Sequence, residues 1–151
     1  MQTNFLKLLW VLVAFGVLIT ISVYSQSKES YSRKTGDTEL LARVIRAEAE
    51  AEPYTGQVAV GAVILNRIQD PDFPNTLAGV IYEPRAFESV SNGMVNRPPT
   101  ESARKAANAA LSGWDPSGGA IFFFNPGKVG AKSYVWTRKI IQRIGQHVFA
   151  I

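Results

Sequence analysis

Residues 56–68, GQVAVGAVILNRI, are apolar nearly all the way round a helical wheel. A helix without a polar face has no place at a surface, so this chain must fold with other elements packed around this segment. Thr55 can cap its start, and Gly61 leaves room for a neighbouring backbone to come close. Asn66 and Arg67, the polar exceptions near its end, need hydrogen-bond partners in such surroundings.

The segment before it, ELLARVIRAEAEAEP, reads as a helix from a cap at Asp37 or Thr38 to about Glu52, where Pro53 restricts the residue ahead of it. Leu40, Leu41, Val44 and Ile45 form one stripe, and Glu48 falls one turn further along it, whereas Glu50 points elsewhere. Burial and the negative end of the helix dipole both favour a protonated carboxyl, the form that can donate a proton. Glu48 is therefore a candidate general acid. A helix end with three solvated glutamates fits the same spacing.

With 151 residues, 46% hydrophobic and 19% charged, the chain is expected to form one globular domain. Leu8 to Val23, LLWVLVAFGVLITISV, is uncharged and follows Lys7, so residues 1–25 read as a signal peptide or a membrane anchor. Val23-Tyr24-Ser25 permits cleavage before Gln26. Residues 26–36 read as a polar tether and residues 37–151 as an exported domain. The chain has no cysteine and only one histidine, His147. That excludes a thiolate nucleophile or a disulfide framework, and argues against a zinc centre or a Ser-His-Asp triad. No cofactor or metal is expected.

Pro71 and Pro74 mark a loop, and Thr76 can cap a short helical turn through Ile81. Tyr82 to Pro99 is irregular, rich in Pro, Gly, Asn and Ser, the type of loop that often binds something. Thr100 caps the helix ESARKAANAALS, stopped by Gly113. Ala120 to Phe124 reads as a strand, followed by a turn at Asn125-Pro126-Gly127. Ser133 to Trp136 is open, Lys139 to Ile144 has helix-compatible spacing, and Gln146 to Ile151 fits a final strand. From Ser117 onward there are five basic residues, Lys128, Lys132, Arg138, Lys139 and Arg143, and no acidic one. For an exported chain, such a face suits anionic wall polymers or headgroups better than nucleic acid.

ARVIRAEAEAEPYTGQVAVGAVILNRI, IYEPRAFESVSNG, GAIFFFNP and IGQHVF, in that order, resemble the bacterial cell-wall hydrolase family typified by the spore cortex-lytic enzymes. The resemblance runs from about Thr38 to Phe149. It implies an α+β, lysozyme-like domain with helices in the N-terminal two-thirds and a short sheet toward the C-terminus, acting on peptidoglycan. It also implies that the first glutamate of the family's Glu-Ala-Arg-Gly-Glu segment, here Glu48, is the catalytic acid. Glu50 and Ala51 stand where the family has arginine and glycine. Peptidoglycan-binding repeats, which accompany some relatives, are not among these residues.

The implied reaction is that of a lytic transglycosylase, in which one glutamate serves as acid and base while the muramic acid 6-hydroxyl attacks its own anomeric carbon. Spore cortex is a candidate substrate. Alternatives are a hydrolytic muramidase or an amidase of the same polymer, or a non-catalytic, membrane-anchored wall-binding protein. A sugar cleft needs flat apolar faces, for which Tyr82, Phe87, Phe123, Tyr134 and Trp136 are candidates, and hydrogen-bonding edges, for which Asn66, Asn92 and Asn125 are. Core packing explains each aromatic equally simply. Glu52, one turn beyond Glu48, reads as a modulator or plain surface, and His147 as a structural hydrogen-bonding residue.

Overall fold

The computed structural model describes the backbone of residues 2–151 and the side chains of residues 16–30 and 34–151. It contains two compact units, residues 1–36 and 37–151. In the first, helix α1 (Gln2–Ala49) begins, and Val17, Leu18, Ile19, Ile21 and Val23 are exposed. The backbone of residues 26–36, expected as a tether, is helical. Part of the apolar run from Leu8 lies outside the described side chains. Among the described residues, no helix is long and apolar enough to cross a membrane.

The second unit adds α2 (Tyr54–Gln69), α3 (Leu77–Ile81), α4 (Glu88–Ser91), α5 (Glu101–Leu111), β1 (Phe122–Phe124), β2 (Ile140–Ile144) and β3 (His147–Ala150). The result is helix-rich with a small C-terminal sheet, as expected. Helix α2 is its axis. Val58 and Ile64 join Leu41, Val44 and Ile45 of α1 and the alanines of α5 in one cluster, while Ala59, Val60 and Val63 join Ala120 and Phe149 in another. Each buried aliphatic side chain contributes about 1.5–3 kcal/mol. Gly61 is where the helices touch, since a Cβ there would lie 2.9 Å from Ile45 Cδ1 and 3.2 Å from Ala110 Cβ.

Helix α1 ends at Ala49, three residues before the expected Glu52, and Glu52 N–H closes a turn onto Ala49 O at 3.0 Å. The ring of Pro53 disfavours the α conformation at Glu52, and Pro53 itself, with φ −54°, takes the N-cap position of α2 in place of Thr55 without a side-chain capping bond. Thr76 and Thr100 cap α3 and α5 through bonds from Gly79 N–H and Ala103 N–H. The expected loop from Tyr82 to Pro99 contains α4 and a 3-10 turn at Met94–Asn96.

The sheet has the order β1-β3-β2 and is antiparallel throughout. Lys139 to Ile144, expected to suit a helix, instead contains β2, because Ile140, Gln142, Arg143 and Ile144 pair with β3 across a tight turn at Gly145–Gln146, with a register shift that leaves Ile141 unpaired. Gly145 has φ 58°, which only glycine adopts freely. All four residues of β3 are buried. The open segment Ser133 to Trp136 becomes a 3-10 turn over Tyr134–Thr137.

Candidate active site

A cavity of about 500 Å³ lies where the last turn of α1, helix α4 and the ends of β1 and β3 meet. Ala47 and Glu48 come from α1, Glu88 and Ser89 from α4, Asn92 and Met94 from the segment after it. Phe123 and Phe124 come from β1, Asn125, Lys128 and Val129 from the turn beyond, and His147 from β3. The stripe that buries Leu41, Val44 and Ile45 carries Glu48 to the cavity wall, half-buried.

Among the described residues, four buried side-chain polar atoms have no hydrogen bond, and three of them belong to residues lining this cavity. They are Glu48 Oε1, Ser89 Oγ and His147 Nδ1; the fourth is Arg43 Nε. Buried polar groups almost always have partners; His147 Nδ1 is turned toward Glu52, so it is Glu48 Oε1 and Ser89 Oγ that mark a place suited to hydrogen-bond a ligand.

His147 Nδ1 lies 3.7 Å from Glu52 Oε1, beyond hydrogen-bond range. Glu52 Oε2 accepts the Gln146 N–H at 2.9 Å, which ties the end of α1 to the β2–β3 turn. Burial pushes the imidazole pKa below its ordinary value; Glu52 opposes this and Lys128 adds to it. Phe123 meets the imidazole edge-on at 5.4 Å.

Of the residues singled out from the sequence, Glu48, Asn92, Phe123 and Asn125 line the cavity together. Asn92 Oδ1 accepts Met94 N–H and Asn125 Oδ1 accepts Gly127 N–H, which shapes both turns. The other five candidates do not line it. Asn66 donates to Asp115 Oδ2 and to Ala120 O, both at 3.0 Å, and so fastens the loop after α5 onto α2. Phe87 is core, with the Arg67 guanidinium 5.4 Å from its ring. Tyr82 and Tyr134 are exposed, and Trp136 packs edge-on against Phe124 at 5.1 Å while donating to Gly130 O. Glu52, read as a modulator or surface, is buried at 9% exposure. Glu88, Ser89, Met94 and Lys128 line the cavity without being candidates for sugar contact in the sequence. Their only sequence signal was the irregular loop character of the first three and the basic tail of the last.

The family profile described as Cell Wall Hydrolase matches residues 51–150, starting just beyond Glu48. The spore cortex-lytic enzyme of Bacillus cereus is 50% identical over 113 residues, which are 75% of this chain and 43% of that protein. The cell wall hydrolase CwlJ of Bacillus subtilis is 33% identical over 123 residues, covering 76% of this chain and 84% of that one. The chain thus spans less than half the length of the spore cortex-lytic enzyme it matches. Among solved structures, the catalytic domain of the Bacillus cereus SleB protein superposes with a TM-score of 0.72 at 48% identity, covering 78% of this chain and 91% of that one. The catalytic domain of the germination-specific lytic transglycosylase SleB from Bacillus anthracis gives a TM-score of 0.72 at 48% identity, covering 76% and 93%.

Proposed function

The chain belongs to the cell wall hydrolase family, and on that premise we propose that it is a lytic transglycosylase cleaving the MurNAc–GlcNAc bond of peptidoglycan, with Glu48 as acid and base. The observation that carries this reading is Glu48 Oε1, buried and without a partner in a cavity that also holds the unpaired Ser89 hydroxyl. Glu48 protonates the glycosidic oxygen as the bond to the muramic acid anomeric carbon breaks. The same carboxylate then takes the proton of the muramic acid 6-hydroxyl as its oxygen bonds to that carbon, which closes an anhydro ring and restores the acid. Phe123 offers a flat face to a pyranose ring, and Ser89, Asn92 and Asn125 offer hydrogen bonds to its rim.

A second reading has one observation in its favour. Glu88 lines the same cavity, so a hydrolytic muramidase with two carboxylates is the competing assignment. Glu52 does not fill that part, being committed to Gln146 and turned toward His147. Mass spectrometry of digested sacculi separates the two. Anhydro-muramic ends are expected, and reducing muramic ends in their place would assign the hydrolase.

The substrate proposed is spore cortex, on the strength of relatives named for lysing it. Faster release of fragments from cortex than from vegetative sacculi is the expected outcome. The segment from Leu8 to Val23 is proposed to take the domain across the membrane, as a cleaved signal or a retained anchor. The exposure of Val17, Leu18, Ile19 and Ile21 supports a lipid or translocon environment for it. The intact mass of the exported protein distinguishes the two fates.

A further inference from the structure

We infer that Glu52 and His147 form a carboxylate–imidazole pair, in which Glu52 fixes the ring proton on Nδ1 and leaves Nε2 as an acceptor for a hydroxyl of the bound sugar. The identity of that hydroxyl bearer rests on the glycan-cleaving function proposed above, whereas the tautomer does not.

His147 is 8% exposed in a fully buried strand and still lines the cavity beside Glu48. Its Nδ1 is enclosed, has no hydrogen bond and faces Glu52 Oε1 at 3.7 Å. With Nδ1 turned to Glu52, Nε2 is the ring nitrogen assigned to the cavity. A carboxylate oxygen 3.7 Å from Nδ1 favours the proton on that nitrogen by charge attraction, without a direct hydrogen bond. Nε2 then carries a bare lone pair, which accepts and cannot donate.

Glu52 is held to this task. Its other oxygen is occupied by Gln146 N–H, and a Cβ at Gly145 would run into it. The ring is held too, by Phe123 at 5.4 Å and Phe149 at 6.4 Å, both edge-on. Of the other charged groups at the cavity, Lys128 disfavours protonation of the ring, and Glu48 and Glu88 share the lining. Burial acts in the same direction as Lys128 and outweighs Glu52, so the ring stays neutral and keeps its acceptor. Glu52 is on this account a positioning residue acting through His147. No proton leaves the substrate in this step.

Because His147 is the only histidine, the full chain labelled with ¹⁵N-histidine gives one imidazole signal set in a long-range ¹H–¹⁵N spectrum. Near neutral pH, Nδ1 is expected at the shift of a protonated nitrogen and Nε2 at that of a bare one. In Glu48→Gln, which leaves the probe uncleaved, a GlcNAc–MurNAc tetrasaccharide is expected to move Nε2 upfield with little change at Nδ1. Glu52→Gln is expected to shift the ring toward the Nε2–H tautomer, raise KM about tenfold through the loss of one oriented hydrogen bond, and move the acid limb of the pH profile lower. A wild-type ring protonated on Nε2 overturns the pairing, and this needs no variant to fold. An Nε2 signal unmoved by saturating tetrasaccharide overturns the acceptor role. Failure of the enzymatic assignment is read separately, as the absence of released fragments from sacculi treated with the wild type.

Discussion

Glu48 shows how far one position can be read from spacing. The stripe of Leu41, Val44 and Ile45 is buried, and the next turn of the same stripe reaches the cavity. Replacing it by glutamine keeps the shape and removes the proton, so Glu48→Gln is expected to lower the cleavage rate by about 10²–10⁴-fold with an unchanged melting temperature. Activity on sacculi and a thermal melt check both parts. Glu50, which stands where the family has arginine, is exposed and lies 3.3 Å from Arg46 Nε, so its charge is matched locally. Glu50→Ala is expected to change stability by less than about 0.5 kcal/mol in urea denaturation. Glu52 was not legible as a buried residue, because the hydrogen bond that encloses it comes from Gln146, 94 residues later in the chain. For the same reason Asn66 looked like a sugar ligand. Its partners, Asp115 and the Ala120 carbonyl, are brought to it only by folding.

At the scale of elements, the helices were legible and the last strands were not. α2 declared itself by its unbroken apolar surface, and Thr76 and Thr100 by capping chemistry. Thr100→Ala removes the bond to Ala103 N–H and is expected to cost about 1 kcal/mol by chemical denaturation. A five-residue segment such as Ile140–Ile144 has no decisive period of its own and takes its conformation from β3. The turn between them is the sensitive point. Gly145→Ala puts a side chain at φ 58° and against the Glu52 carboxylate and Pro53 Cδ, so a loss of about 1–3 kcal/mol is expected, together with reduced activity as Glu52 is displaced. A melt in parallel with a sacculus assay measures both.

Across the whole molecule, acid is expected to weaken the fold in two stages. The His147 pKa is lowered on folding, so the unfolded chain binds more protons, and stability falls as pH drops from about 6.5 through the folded value. Burial alone would raise the Asp115 pKa, but hydrogen bonds from Ser117, Asn66 and Gly119 lower it. Its contribution is therefore present above about pH 3.9 and lost as pH falls through the lower folded value. Melting temperature against pH should show both declines, and His147→Gln should remove the first. The basic residues of the tail, legible from sequence, are all exposed: Lys128, Lys132, Arg138, Lys139 and Arg143. The chain is proposed to cleave peptidoglycan through Glu48 alone as acid and base. The most direct measurement is mass spectrometry of sacculi digested by the wild type and by Glu48→Gln at equal concentration of folded protein. Anhydro-muramic ends from the wild type and almost none from the variant are the expected result; equal release of fragments by both would contradict it.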